Sequence, residues 1–149
     1  MPVLERIWLK RARLGPMDHA DQAQLDHRGL VGNANRGGTR QVTIIARERW
    51  EAHMAALGGT LDPSARRANL MVSGIALEGA RGRVLRIGAC RIAIRGETKP
   101  CERMDEALPG LRQRMFPDWG GGAFGEVLDG GTIRVGDDVA WDDAPAATP

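Results

Sequence analysis

The stretch "GRVLRIGACRIAIRG", Gly82 to Gly96, decides the reading of the fold. Two β-branched and aliphatic runs meet at Gly88, a residue free to adopt the unusual backbone angles of a tight turn. The stretch therefore predicts a β-hairpin. The same device returns in "GTIRVGDDVAW", Gly131 to Trp141, where Gly136-Asp137 stands at the turn, and it predicts a second hairpin.

Further strands are expected on the N-terminal side. "ANLMVSGI" predicts a strand over Asn69–Ser73, and the β-branched run in "TRQVTIIA" predicts one over Gln41–Ala46. Val3 to Leu9 reads as a first strand, with Val3, Glu5, Ile7 and Leu9 on one side. Between these strands, "RERWEAHMAALGG" spaces Trp50, Met54 and Leu57 as a helix does, and a Gly-Gly pair ends it; a helix over Arg47–Leu57 follows. "CERMDEALPGLRQRMF" has a helical face of Met104, Ala107, Leu108, Leu111 and Met115, interrupted by Pro109, so two short helices or a kink are expected. The polar stretch from Lys10 to Gly38 lacks a sustained period and reads as one long loop, a place where function concentrates. Gly120 to Gly122, followed by "AFGEVLDGG", reads as a loop before a strand, a flexible connector; close backbone approach and a mobile lid are the alternatives. Many short strands with few helices predict a mainly β (α+β) fold, with a closed or nearly closed barrel removing the sheet edges. The expected organisation is one domain over residues 1–142, with a disordered tail over 143–149.

Composition narrows the function classes. The 149 residues are 42% hydrophobic, enough for one core. No apolar run approaches the roughly 20 residues needed to span a bilayer, and the N-terminal stretch lacks a signal peptide's apolar region. A cytoplasmic protein without membrane contact is expected. Cys90 and Cys101 are too few for a disulfide scaffold or a four-cysteine zinc site. The net charge of +2 hides an asymmetry. Arg66 to Arg103 carries nine Lys/Arg against three Asp/Glu, whereas Asp118 to the end carries one against seven. Such a basic middle either meets an anion or pairs with the acidic end. With two Phe, no Tyr and no nucleic-acid motif, a nucleic-acid partner is not expected.

The chemistry-bearing residue is Cys101. Pro100 ends the strand that begins near Arg91, and Cys101 then starts a helix. The helix dipole, Lys99 and Arg103 all favour negative charge there, and a thiolate is both a nucleophile and a soft-metal ligand. The bland alternative is a buried cysteine acting as a small hydrophobe, which is the reading for Cys90. Cysteine-protease chemistry needs a histidine partner; His19 and His27 lie in the long loop, His53 lies on the helix, and nothing selects any of them. Arg66 and Arg67 precede one strand and Thr39 and Arg40 another, and arginine suits bidentate contact with phosphate. The bland reading of all four is a solvated rim.

The order of these blocks resembles the MOSC domain family, named for the C-terminal domain of molybdenum-cofactor sulfurase. "GLVGNANRGGTRQVTIIARERWE", "ARRANLMVSGIALEGARGRVLRIGACRIAI", "TKPCERMDEA" and "FGEVLDGGTIRVGDDV" are similar to successive family segments and together run from about Gly29 to Val139. The resemblance implies a β-barrel-like domain that binds the molybdenum cofactor as a small stand-alone member. Cys101 would ligate molybdenum or carry sulfur, and Arg66, Arg67 and Asn69, with Thr39, Arg40 and Lys99, would bind the cofactor. Implied activities are reduction of N-hydroxylated compounds or related oxo transfer by a molybdenum-dependent oxidoreductase. A sulfur carrier or transferase with a Cys101 persulfide, and a non-catalytic anion- or protein-binding module, are the alternatives. Implied partners are a small-molecule substrate and a redox or sulfur-donor protein; pyridoxal phosphate binding is implied only at the level of the whole family. Two positions depart from the family pattern: Asn33 stands where many relatives have an acidic residue, and Arg36 stands where a histidine is common.

Overall fold

The computed structural model describes residues 1–142. Strand β1 spans Val3–Lys10, β2 Met17–Ala20, β3 Gln22–Asp26, β4 Gly29–Leu30 and β5 Val42–Ala46. Helix α1, Arg47–Leu57, and a 3-10 turn, Pro63–Arg66, lead to β6, Leu70–Ser73. Strands β7, Val84–Ile87, and β8, Cys90–Glu97, precede helices α2, Glu102–Ala107, and α3, Leu111–Met115. After a second 3-10 turn, Pro117–Trp119, come β9 (Ala123–Asp129), β10 (Gly131–Arg134) and β11 (Val139–Trp141).

Eight strands form one sheet in the order β11-β7-β8-β9-β5-β6-β1-β2, and β10-β3-β4 form a second. All pairings are antiparallel except β5 with β6, where α1 supplies the crossover. The period-2 pattern sorts the side chains. Val42, Ile44, Leu70, Val72, Ile92 and Ile94 point into the main core, while Ile45 and Met71 join Trp8 and Ala68 in a smaller cluster. Trp50 and Met54 of α1 pack on Met104, Leu111 and Met115, which seats the short helices.

The fold is the mainly β one expected, but the sheet stays open instead of closing into a barrel. The β11 end meets the N-terminal part of β1 only through the isolated Val3–Asp138 bridge and its flanking bonds. Four other expectations need correcting. In β1 the buried residues are Leu4, Ile7 and Trp8, because an irregularity between Leu4 and Arg6 breaks the simple alternation. The supposed long loop contains β2, β3 and β4; β2 and β3 are hidden by their polar residues, and β4 by its length of two residues. The second hairpin is no hairpin: β10 pairs with β3, and β11 pairs with β7, so "GTIRVGDDVAW" passes from one sheet to the other. Finally, "AFGEVLD" is strand β9, and the glycines before it are closely packed. A Cβ at Gly121 would collide with the Thr98 carbonyl oxygen, and one at Gly122 with that of Ile44. The expected tail, residues 143–149, lies outside the described residues.

Candidate functional site

Local sequence explains how two adjacent arginines part. Asp62 caps the 3-10 turn by accepting a hydrogen bond from the Ser64 N–H (3.0 Å), and Pro63 fixes its first position. Arg67 ends the turn in the left-handed conformation (φ 62°, ψ 34°), rare for a residue other than glycine. The reversal sends Arg66 inward and leaves Arg67 half-buried. Arg66 Nε donates to Gly121 O (3.0 Å) and Nη2 to Thr98 O (3.1 Å), and Nη1 has no bond within the described residues. Burial draws the guanidinium down to about 10; the Arg40 charge acts the same way, and the Cys101 charge opposes it. A buried cation held only by neutral carbonyls is costly unless an anion completes it.

Arg40, Thr43, Arg66, Arg67, Ala68 and Thr98 line one small depression. Cys101 is exposed beside the charge of Arg66, at the start of the six-residue α2. Lys10, at the end of β1, belongs to the same group: burial first, then the charges of Arg67, Arg40 and Arg103, hold its ammonium below its usual value. The charge asymmetry of the sequence now resolves into two regions. Arg95 pairs with Glu126 (2.7 Å), Arg86 with Asp142 (3.2 Å), and Arg91 with both Asp129 and Asp142, so part of the basic middle pairs with the acidic end. Lys10, Arg40, Arg66, Arg67, Lys99 and Arg103 have no carboxylate partner among the described residues.

Other residues singled out in the sequence fall elsewhere. Asn69 lies under the depression, with its side chain already saturated. Its Oδ1 accepts from the Thr43 N–H and hydroxyl (both 3.2 Å), and its Nδ2 donates to Trp8 O (3.2 Å) and Asn33 Oδ1 (3.1 Å). Asn33 Oδ1 also accepts from the Lys10 N–H (2.8 Å), so the Asn33–Asn69 pair ties β1 to β6 beneath the cations. Thr39 and Lys99 are exposed and do not line the depression. Arg36 is committed to Asp26 (2.6 Å). His19 lies exposed on β2 and His27 in the exposed turn after β3; neither bonds to Cys101 among the described residues. Cys90 is fully buried in the main core, as expected for a small hydrophobe. Lys10 and Thr98 were not singled out from sequence; the strand signal around each concealed a contribution made at the strand end.

The MOSC domain model matches residues 26–140. The chain belongs to the MOSC domain family. That family is associated with binding of the molybdenum cofactor. The YuaD protein from Bacillus subtilis is 18% identical, with 93% of this chain and 94% of that one covered and a TM-score of 0.79. YiiM from Geobacillus stearothermophilus is 12% identical, covering 99% and 78% of the two chains at a TM-score of 0.77. YiiM from Escherichia coli is 16% identical, covering 94% and 69% at 0.72. At such identities these likenesses concern the fold. No curated protein matches the sequence.

The donor set fits the cofactor that the family implies. No group of three or more His, Cys, Asp or Glu suited to a metal ion occurs among the described residues, so the single thiol suits a metal that brings its other ligands with it. The unpaired guanidinium and ammonium groups suit a phosphate. Among the described residues, no helix is long and apolar enough to cross a membrane.

Proposed function

We propose that this MOSC protein binds the molybdenum cofactor, with Cys101 as the protein ligand to the metal, and acts in reduction of N-hydroxylated substrates or related oxo transfer. The observation that carries this reading is the exposed thiol of Cys101 beside a cluster of cations without a carboxylate. Arg66, Arg67 and Arg40, with Lys10, would hold the phosphate. When bound, the cofactor supplies two dithiolene sulfurs and a two-electron metal centre. The chain's own part is positioning. The carbonyls of Gly121 and Thr98 fix Arg66 before any anion arrives, so little side-chain freedom is lost on binding. The Asn33–Asn69 pair anchors the end of β1 and so places Lys10. Cys101 is exposed, so a substrate or a donor protein can reach its sulfur.

Molybdenum and pterin content of gently purified protein tests this. Wild type is expected to carry both. Cys101→Ser is expected to lose the metal, keep the pterin held by the arginines, and melt within a degree or two of wild type, because the side chain is exposed. Absence of both molybdenum and pterin from wild type would overturn the reading. The same exposure favours one second reading, a Cys101 persulfide carrier; cyanide-labile sulfur that disappears in Cys101→Ser, without molybdenum, would select it.

A further inference from the structure

A cavity of about 400 Å³ shares no lining residue with the basic depression. The glycine run at Gly120–Gly122 lies between the two, with Gly120 and Gly122 on the cavity and the Gly121 carbonyl bound to Arg66, and β5 also borders both, through Thr43 on the depression and Ile45 on the cavity. The volume lies within the roughly 300–1,000 Å³ of small-molecule pockets. Its walls are largely apolar and aromatic: Trp50 from α1, Ile75 and Leu77 after β6, Met115 from α3, and Trp119.

Three observations define an occupant. The first is His53, on the same wall and only 2% exposed. Its Nε2 lies 2.9 Å from the Gly120 carbonyl oxygen, which can only accept, so Nε2 carries the proton. Burial first, and then the Arg49 and Arg114 charges, hold the ring below its usual pKa against the opposing Gly120 bond; the imidazole is neutral near pH 7. Nδ1 is then an acceptor, buried and without a hydrogen-bond partner among the described residues. The second is the charge at the rim. Glu48 accepts from the Gly74 N–H (2.7 Å), Arg49 donates to the carbonyls of Asp118 (2.9 Å) and Pro117 (3.3 Å), and Glu78 is exposed at the edge. Among the described residues that line this cavity, no buried charge awaits a counter-ion, so the occupant is neutral. The third is strain: Asp118 and Trp119 both hold positive φ, 54° and 60°. Consecutive non-glycine residues in that region persist only where their surroundings enforce it, and here they set the position of Trp119, whose ring lines the cavity.

We infer that this cavity binds a small, neutral, planar ring compound carrying one N–H or O–H donor for His53, at a site separate from Cys101. The inference does not depend on the cofactor reading. Indole and benzofuran test it, since they have the same shape and differ in the N–H donor. In isothermal titration of the full chain, indole is expected to bind about tenfold or more tightly than benzofuran, the effect of one donor to an otherwise unmet buried acceptor. Ala76→Phe, at an exposed position of the lining, is expected to abolish the binding of both while leaving the melting temperature unchanged. No indole binding at millimolar concentration, benzofuran binding as tightly as indole, or unchanged indole binding in Ala76→Phe would each overturn it.

Discussion

The two sides of the Gly120–Gly122 run are opposites in hydrogen-bonding terms. On one side, Gly121 O accepts from Arg66 and from the Thr98 hydroxyl (2.7 Å), and the arginine keeps a donor with no anion among the described residues to receive it. On the other side, Gly120 O fixes His53, and the ring keeps an acceptor with no donor among the described residues. Successive carbonyls of one short segment thus organise a cationic depression and an apolar cavity back to back. Asn69 is saturated, whereas these two are held in place and left incomplete; Arg36 and Arg47 also keep a buried N–H without a partner, but each is already paired with a carboxylate. An incomplete group that is rigidly held is the mark of a binding site, because its ordering cost falls on folding and not on the ligand.

The harshest way to break the comparison is Gly122→Ala. The residue has φ +102°, and an added Cβ would collide with the Ile44 carbonyl oxygen. Left-handed strain together with a backbone clash should cost about 3 kcal/mol or more. Because the run serves both sides, the variant should disturb the cationic face and the His53 side together. Chemical denaturation measures the cost; near-native stability would show the run to be the flexible connector that its composition suggests.

Arg66→Met separates the sides. It removes the donor to Gly121 O and Thr98 O without touching His53. Thr98 O loses its donor and Gly121 O keeps only the Thr98 hydroxyl, and about 1–3 kcal/mol of stability should follow. Removing a desolvated cation offsets part of that loss, so the lower half of the range is expected. Cofactor content should fall while indole binding stays; loss of both together would mean that the two sides form one site.

How far the sequence reveals this arrangement depends on whether the signal is local. Helix α1 and the hairpin at Gly88 are legible because periodicity and turn chemistry lie within a dozen residues. Cys101 and Arg66 are legible as types, a thiol and a guanidinium in a basic stretch, but their proximity is not. It depends on the ends of β6 and β8 being carried together by strands between them in the sheet order. "GTIRVGDDVAW" misleads for the converse reason: its turn residues are those of a hairpin, and only β3 and β7, both distant in sequence, decide that the arms part. Glycines 120–122 mislead as well, since the sequence cannot distinguish a glycine needed for freedom from one needed for space.

The mildest test concerns pH. Because the folded-state pKa of His53 is depressed below its unfolded value near 6.5, the native state binds its proton less readily than the unfolded chain does. Its contribution is fully present above that value and is lost as pH falls through the unfolded pKa toward the folded one. Melting temperature should therefore drop from pH 7.5 to 5, more steeply in wild type than in His53→Gln, which keeps an amide N–H for Gly120 O but does not titrate. Asp26 and Asp62, whose carboxyls are held below their usual values by bonds from Arg36 and Ser64 respectively, act only at lower pH and leave this window to histidine. Indole should steepen the wild-type profile, because a donor bound at Nδ1 competes with the proton there and lowers the folded-state pKa further. Equal slopes in wild type and His53→Gln would place the neutral ring, and with it the polarity contrast across the glycine run, in error.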